Sequence, residues 1–469
     1  MNAIACAPGA PSSGFVIARR ILKVSLPLMG SMIGNLIMML VDRICLARYS
    51  ADTLAASGPA VYTSMAIVGF FVAVVGFSRS CVAQAHGRSG LGDAGWQAAI
   101  GIVVGIVFAV ALWLMAPLMA WIPGLSDRPP ALTRLEAQFL YWSAYFGAAM
   151  TFNMALSSYF NGIGKTRITL VAGLVGQAVG IVATIGLVFG RFGLPELGMR
   201  GSALGTLAGT LAITLIYVAY MPGEVWSDVR RLVTTRGIHR GDVLPRIRKG
   251  VALGVTAGIG NFGNAAFIWI IAGLGAIALA ANNVNLTVSY IGVIPLLGLG
   301  IGCSVLCGNA LGQGEFEQVP RIMLVTLVIE LAYVAFTAFL QIVTPNVLLD
   351  PFGLADKPDE IRHAAVATSK VLWTYSLAFA FSMTGQAVLE AFGLTRFLFA
   401  VRFVMMWVLS IPTVYLITLG HVGDPEYLPT AWVIGSSFEA GIGILYFWRI
   451  RVAVRRRQNE IVLRPQVQA

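Results

Sequence analysis

The segment AHGR at residues 85–88 returns as ALGQ at residues 310–313, which is 225 positions later. The same spacing separates LAA at 54–56 from LAA at 279–281. Each motif lies at the beginning or the end of a long apolar run. A constant spacing between unlike runs indicates that the chain contains the same unit twice, in the same orientation.

Two further pairs extend this duplication toward both ends of the chain. IGN at 33–35 matches IGN at 259–261, and GIGKTR at 162–167 matches AFGLTR at 391–396. The spacing drifts by only a few residues between these pairs. Parallel repeats with a cavity at their interface are a common architecture of secondary transporters.

Composition places the duplicated unit in a membrane. The chain is 57% hydrophobic and 11% charged, whereas soluble proteins carry about 25% charged residues. Apolar runs of about 20 residues, the length that crosses the hydrocarbon layer, recur along the chain. We therefore predict an all-α integral membrane protein without a folded domain that could recognise nucleic acid.

Counting these runs predicts twelve transmembrane helices in two pseudo-symmetric six-helix lobes. The predicted spans lie near 21–46, 54–84, 96–121, 135–156, 168–190, 198–221, 248–273, 279–310, 320–345, 364–388, 398–419 and 430–450. The resulting segments are a cytoplasmic N-terminal segment 1–20, an N lobe 21–221, a cytoplasmic linker 222–247, a C lobe 248–450 and a basic cytoplasmic tail 451–469. The first run is too long for a cleaved signal, so we expect it to be retained.

The net charge of +11 is concentrated on one side of this topology. The linker, the tail and the loop after the fourth span are rich in Arg and Lys, whereas Asp350, Asp356 and Asp424 fall on the opposite side. The positive-inside rule then predicts a multi-pass protein of the inner (plasma) membrane with both termini in the cytoplasm.

Acidic side chains inside spans are costly and therefore indicate function. Asp42 lies seven residues after Asn35, so the two share one helix face. Asp42 is predicted to be an ion-coupling site in a cavity; the alternative is a solvated acid paired with Arg48. Pro27, earlier in the same span, removes a backbone hydrogen bond and is either a hinge or a static kink.

Two further acids lie in the middle of predicted C-lobe spans. Glu330 is a cavity candidate, or a protonated carboxyl that hydrogen-bonds a neighbouring helix. Glu439 is a second cavity candidate, and its partner is not evident from the sequence. Glu390, at the cytoplasmic end of its span, is better explained by a salt bridge there than by transport.

No motif predicts an enzyme, a metal site or an organic cofactor. GIGKT at 162–166 lacks the upstream glycine of a phosphate-binding loop, so transport would depend on an ion gradient of H⁺ or Na⁺. Cys303 and Cys307 share a helix face and are expected to be packing residues. The expected partners are a small organic substrate and membrane lipid, and we expect a monomer.

Several motifs in order resemble those of the multidrug and toxic compound extrusion (MATE) family. They are VD at 41–42, QAHG at 84–87, NGIGKTR at 161–167, FGLPELGMRGSALGT at 192–206 and GLGAIALAA at 273–281. The resemblance covers about residues 20–450. It implies two six-helix lobes arranged as a V, alternating access, and export of organic, often cationic, compounds in exchange for H⁺ or Na⁺.

The resemblance also assigns residues. Asp42 matches the N-lobe acid of the family, and Asn153 and Thr206 fall near its N-lobe polar positions. Thr184 stands where members often place an acid in the fifth span, and Asn261 lies near the seventh-span Glu of sodium-coupled members. The tenth-span Asp of those members falls near Phe379. Because both acids of the C-lobe sodium site are absent here, proton coupling is favoured over sodium coupling.

Two other transport functions remain open at this stage. A flippase for lipid-linked precursors should have a cationic cavity, and Arg and Lys are scarce in the predicted spans. A dedicated metabolite exporter would differ from a multidrug exporter only in its substrates. A scaffold or receptor without transport would need neither the repeat nor the buried acids.

Overall fold

The computed structural model describes residues 14–125, 129–234, 240–350 and 358–463, and no strand occurs in these ranges. Arg236 and Asp356, which contributed to the predicted orientation, lie outside the described residues. The same holds for the outermost parts of the predicted terminal segments.

The first lobe contains eight helices, and an amphipathic helix follows it. Their bounds are α1 Gly14–Tyr49, α2 Ala51–Gly76, α3 Ser78–Ser89, α4 Leu91–Leu114, α5 Ala116–Trp121, α6 Pro130–Gly162, α7 Thr166–Phe189, α8 Met199–Tyr220 and α9 Gly223–Thr234.

The second lobe repeats this order. Its helices are α10 Arg240–Ala272, α11 Ala276–Gln313, α12 Gln318–Val343, α13 Pro345–Leu349, α14 Asp359–Ala391, α15 Thr395–Phe403, α16 Ile411–Leu419 and α17 Leu428–Leu463. A π-helical stretch, Val404–Ser410, joins α15 to α16, so the three form one continuous span.

Helix positions confirm the duplication. The first residues of α2 and α11 are 225 positions apart, and those of α6 and α14, α7 and α15, and α8 and α17 are each 229 apart. The short helices α5 and α13 follow the same 229-residue spacing. The two lobes are therefore equivalent element by element, as the repeated motifs predicted.

Ten helical segments among the described residues are long and apolar enough to cross a membrane. The two other predicted spans, the fourth and the tenth, are α6 and α14, each of 33 residues and equivalent to each other in the repeat. With them the fold has the twelve predicted transmembrane helices. Large apolar side chains such as Trp269 (80% exposed) and Ile444 (70% exposed) point away from the protein, which suits contact with lipid.

Several helices are longer than the predicted spans, because the helical backbone continues after the apolar run has ended. α1 begins within the predicted segment 1–20, and α17 runs through much of the predicted tail. Within the predicted linker 222–247, α9 buries Val225 and Leu232, and α10 has already begun. Arg246 is 5% exposed and donates to the Gln97 carbonyl oxygen at 2.7 Å, which ties α10 to α4.

The two lobes meet at the end of the bundle where α1 begins and α17 ends, called here the terminal end. A Cβ on Gly87 would lie 2.1 Å from the Asn309 carbonyl oxygen, and a Cβ on Gly312 would lie 2.0 Å from that of Gln84. Gly87 and Gly312 are equivalent in the repeat, as are Gln84 and Asn309. The motif that predicted the duplication is therefore also the surface on which the two lobes contact each other.

Side chains reinforce this contact. Arg79 Nη2 lies 2.9 Å from Glu390 Oε1, an ion pair between lobes that matches the predicted salt bridge. His86 Nδ1 lies 3.3 Å from Asn309 Oδ1. Gln84 Nε2 donates to the Ala391 carbonyl oxygen. The terminal end is therefore closed by backbone contact with a polar rim.

Helix α1 is shared between the lobes. Near its start, Ser25 and Met29 contact α11 at Gly302 and Gly298, where no side chain intervenes. Two residues after Met29, Ser31 contacts Gly173 of α7 in its own lobe. Pro27 lies within the part of α1 that contacts the C lobe, three residues before Gly30, where contact with α7 begins.

Adding a side chain at Gly87 or at Gly312 should separate the two lobes at the terminal end. We expect Gly87→Ala and Gly312→Ala each to reduce disulfide formation between cysteines introduced at His86 and Asn309 severalfold, because the added methyl overlaps a carbonyl oxygen of the other lobe. Cross-linking yield in membranes measures this. Gly92→Ala is the matched control, since a Cβ there meets nothing within 4 Å; equal yields in all variants would contradict the prediction.

Candidate functional site

A cavity of about 290 Å³ lies inside the N lobe, bounded by α1, α2, α6, α7 and α8. Asn35, Asn153 and Thr206, three of the predicted cavity residues, line it. Among the described residues that form its wall, none carries a charge. The cavity is therefore a neutral, mainly apolar chamber with a few fixed polar groups, as small-molecule sites usually are.

Four methionines supply much of the apolar wall, and Tyr217 adds an aromatic ring. The methionines are Met32, Met38, Met150 and Met154. The thioether side chain is unbranched and polarisable, and it adapts to ligands of different shape. This wall suits a set of flat or bulky organic molecules better than one exactly complementary ligand.

The two asparagines differ in how firmly they are held. Asn153 donates from Nδ2 to the Thr210 carbonyl oxygen at 2.9 Å and accepts from the Thr214 hydroxyl at 2.8 Å. Asn35 accepts from Gln177 Nε2 at 3.4 Å, a long contact on a more exposed side chain. Asn153 therefore fixes α6 to α8, whereas Asn35 can exchange its partner for a ligand.

Glycines allow the helices around these side chains to pack in direct contact. A Cβ on Gly209 would lie 2.6 Å from the Gly176 carbonyl oxygen, so α7 and α8 touch through their backbones. A Cβ on Gly173 would lie 2.1 Å from Ser31 Oγ, so α1 and α7 are equally close. Small residues permit such approach between membrane helices, and one wall of the cavity is consequently backbone.

Asp42 lies one helical turn beyond Met38, on the side of the cavity away from the terminal end. Its Oδ1 accepts a hydrogen bond from the Ser202 hydroxyl at 2.9 Å. Thr184 lies beside the same carboxylate, although its hydroxyl makes no hydrogen bond of standard geometry. In the described part of the chain, no basic side chain lies within salt-bridge distance of Asp42, so the alternative pairing with Arg48 does not occur in this structure.

The remaining candidates lie elsewhere. Asn261 approaches Gly69 of α2, at the contact between lobes. Glu330 is fully buried in the C lobe, where it accepts from the Thr384 hydroxyl at 2.5 Å. Glu439 forms an ion pair with Arg402, 3.0 Å between Oε1 and Nη1. The structure thus groups Asn35, Asn153, Thr206, Thr184 and Asp42, and separates the other three from them.

Sequence reasoning missed several residues of this site. Gln177, Tyr217 and Ser202 carry no charge and sit in ordinary apolar runs, so only the packing of α7 and α8 reveals them. Arg402 could have been noticed as a basic residue inside the predicted span 398–419. No group of His, Cys, Asp and Glu that could hold a metal occurs among the described residues.

Comparison with known proteins agrees with this geometry. A family model described as MatE matches residues 27–185 and 253–416, once in each lobe. The multidrug resistance protein MdtK of Edwardsiella ictaluri (strain 93-146) is 24% identical over 462 residues, which cover 95% of this chain and 98% of that protein.

Solved structures share the fold. A structure described as the outward-facing conformation of a multidrug resistance MATE family transporter of the MOP superfamily aligns with a TM-score of 0.82 at 16% identity, covering 96% of this chain and 99% of that chain. A MATE described as being in the bent conformation aligns with a TM-score of 0.80 at 16% identity and the same coverage. Since the family model matches more than half of the sequence, the chain belongs to the MatE family of membrane transporters.

Proposed function

We propose that this protein is an ion-gradient-coupled antiporter that exports organic, cationic small molecules by alternating access, with the proton as coupling ion. The likeness to MdtK over nearly the whole of both chains supports multidrug export. The observation that carries the proposal is the position of Asp42, an ionisable side chain one turn from a neutral, methionine-lined cavity.

Substrate binding is assigned to the N-lobe cavity. Its methionines and Tyr217 provide polarisable and aromatic surface, which attracts organic cations. Asn35 and Thr206 offer hydrogen bonds, and the ionised Asp42 supplies the negative charge that makes a cation preferable to a neutral molecule. Protonation of Asp42 removes this preference, so binding of the proton and of the substrate exclude each other.

Proton coupling is favoured because the acids that the resemblance assigns to a C-lobe sodium site are absent from the seventh and tenth spans of this chain. Of the C-lobe acids, Glu330 is held by Thr384 and Glu439 by Arg402. Glu439 is therefore already neutralised in this conformation, and Glu330 is fully buried in the C lobe, away from the N-lobe cavity.

Alternating access is assigned to a bend of α1 at Pro27. The proline has no N–H to donate to the turn before it, which lowers the resistance of the helix to bending. Because the first part of α1 is held by α11 and the next part by α7, bending would move the N-lobe cavity relative to the C lobe. With the basic terminal end assigned to the cytoplasm, the closed terminal end corresponds to an outward-facing state.

A lipid-linked precursor flippase is less well supported. Its phosphates would need a cationic cavity, and the N-lobe cavity has no charged side chain among the described residues that line it. Arg402 is already neutralised by Glu439. A dedicated metabolite exporter would use the same cavity, and a panel of substrates distinguishes it from a multidrug exporter.

Replacing the coupling carboxylate tests the mechanism. We expect Asp42→Asn to reduce proton-driven export of tetraphenylphosphonium from proteoliposomes at least about tenfold, because the side chain can no longer exchange a proton for a cation. Asp52→Asn, at an exposed acid of the same lobe, should leave export unchanged. Full export by Asp42→Asn, or export by the wild type driven by a sodium gradient alone, would contradict the proposal.

Filling the cavity tests the substrate site. Thr206→Phe should weaken tetraphenylphosphonium binding at least about tenfold, because the ring occupies space that the ligand needs. Equilibrium binding to purified protein measures this separately from transport. Leu215→Phe is the control on the same helix, since Leu215 is 70% exposed and is not among the residues that line the cavity; equal affinity in both variants would place the substrate elsewhere.

Replacing Pro27 with alanine restores a backbone N–H donor in α1 and tests whether the helix bends at this position. Pro27→Ala should slow export severalfold while substrate affinity stays within about twofold, because a regular helix resists bending. Spin labels at Ile44 and Trp269, both exposed, should then report a narrower distance distribution between the lobes. Pro59→Ala, which replaces a proline inside α2, is the control; wild-type export and distances in Pro27→Ala would assign Pro27 to a static kink.

A further inference from the structure

The repeat identifies which C-lobe residues correspond to those around the N-lobe cavity. Three of the helices around the cavity, α6, α7 and α8, correspond to α14, α15 and α17 with one common spacing of 229 residues. The corresponding pairs are Asn153 with Ser382, Gly173 with Arg402, and Thr210 with Glu439. In the C lobe, an ion pair thus replaces a glycine and a threonine.

The contacts confirm that this correspondence is spatial. In the N lobe, Asn153 donates to the carbonyl oxygen of Thr210. In the C lobe, the equivalent Ser382 donates to Oε1 of Glu439, at 2.5 Å. Tyr446, the equivalent of the cavity residue Tyr217, donates to the Leu398 carbonyl oxygen at 3.2 Å.

The arginine places a long side chain where its counterpart has none. Gly173 forms part of the wall of the N-lobe cavity and packs closely against Ser31 of α1. Arg402 Nη1 lies 3.0 Å from Glu439 Oε1. The Arg402 side chain is 16% exposed and the Glu439 side chain is 11% exposed. A Cβ on Gly260 would lie 3.9 Å from Arg402 Nε, so the guanidinium group also reaches the helix equivalent to α1.

We propose that the Arg402 guanidinium is a built-in cation in the C-lobe region that corresponds to the cavity, and that Glu439 with Ser382 forms a latent site for a monovalent cation. While Arg402 is present, this site is occupied and ligand binding is confined to the N lobe. The statement about ligand binding rests on the proposed export function, whereas the latent cation site does not.

Removal of the Arg402 guanidinium leaves the Glu439 carboxylate without a compensating positive charge. A buried carboxylate that loses its partner must be neutralised, by a proton or by another cation, or else the protein is strongly destabilised. Ser382 already presents an oxygen to Glu439, and replacing Arg402 by glycine adds the space of a long side chain. The carboxylate would then bind a small cation such as Na⁺ from solution.

Thermal unfolding of the purified protein tests this at pH 8, in NaCl and in N-methylglucamine chloride of equal ionic strength. We expect Na⁺ to raise the unfolding temperature of Arg402→Gly by at least about 3 °C. The wild type and the double variant Arg402→Gly/Glu439→Gln should show no difference between the two salts. Binding of radioactive Na⁺ should saturate near one ion per chain in the single variant only.

Other outcomes overturn the proposal. A pair that only stabilises the fold would lower the unfolding temperature of Arg402→Gly equally in both salts. A sodium effect in the wild type that disappears in Glu439→Gln would mean that the site is already open. Arg402→Gln preserves most of the side-chain volume and repeats the comparison if the glycine variant does not fold.

If neither single variant folds, Arg402→Gly/Glu439→Thr copies the N-lobe pair without charge. Folding of this double variant would show that the carboxylate needs its cation, as proposed, and failure to fold would show that the arginine has a different structural role. These measurements involve no transport. A failure of the export function would therefore leave the cation result intact, and the reverse is also true.

Discussion

The contact of two glycines with two backbone carbonyls holds the lobes together at the terminal end. Gly87 faces Asn309 and Gly312 faces Gln84, with no room for a Cβ at either glycine. Two helices approach this closely only where small residues lie at the contact, and the duplicated motif places a glycine on each helix. The centre of this contact consists of backbone and small residues, and the Arg79–Glu390 ion pair and the His86–Asn309 contact lie beside it.

The fold could be predicted because repeated motifs and the lengths of apolar runs are read along the chain and do not depend on how the helices pack. The same reasoning put Asp42 and Asn35 on one face of α1, since both belong to one helix. The cavity itself could not be predicted, because its walls depend on how closely α1, α7 and α8 pack at Gly173, Gly176 and Gly209, and a glycine in the sequence does not show which helix it will meet. The partner of Glu439 was missed because Arg402 belongs to a different helix, and only its packing against α17 joins the two charges.

The two lobes use one scaffold for opposite purposes. The N lobe keeps a neutral cavity, whose ionisable neighbour Asp42 accepts a hydrogen bond from the Ser202 hydroxyl and has Thr184 beside it. The C lobe fills the equivalent space with an ion pair whose charges cancel. A buried pair has little tendency to exchange with solvent because separating it leaves both charges uncompensated. The C lobe is therefore suited to be the rigid half against which the N lobe changes.

The free energy available from a proton gradient is similar in size to that of the polar contacts at the closed terminal end. Coupling between the two requires this. One pH unit across the membrane supplies about 1.4 kcal/mol per proton. A hydrogen bond contributes about 0.5–1.5 kcal/mol net, and bonds to charged groups about twice that. The polar rim of the closed end consists of one ion pair and a few hydrogen bonds, so its strength is within the range of a gradient of one to three pH units. Because α1 carries Asp42 and also contacts α11 near Ser25, a change of charge at one end of this helix can bias the contact at the other.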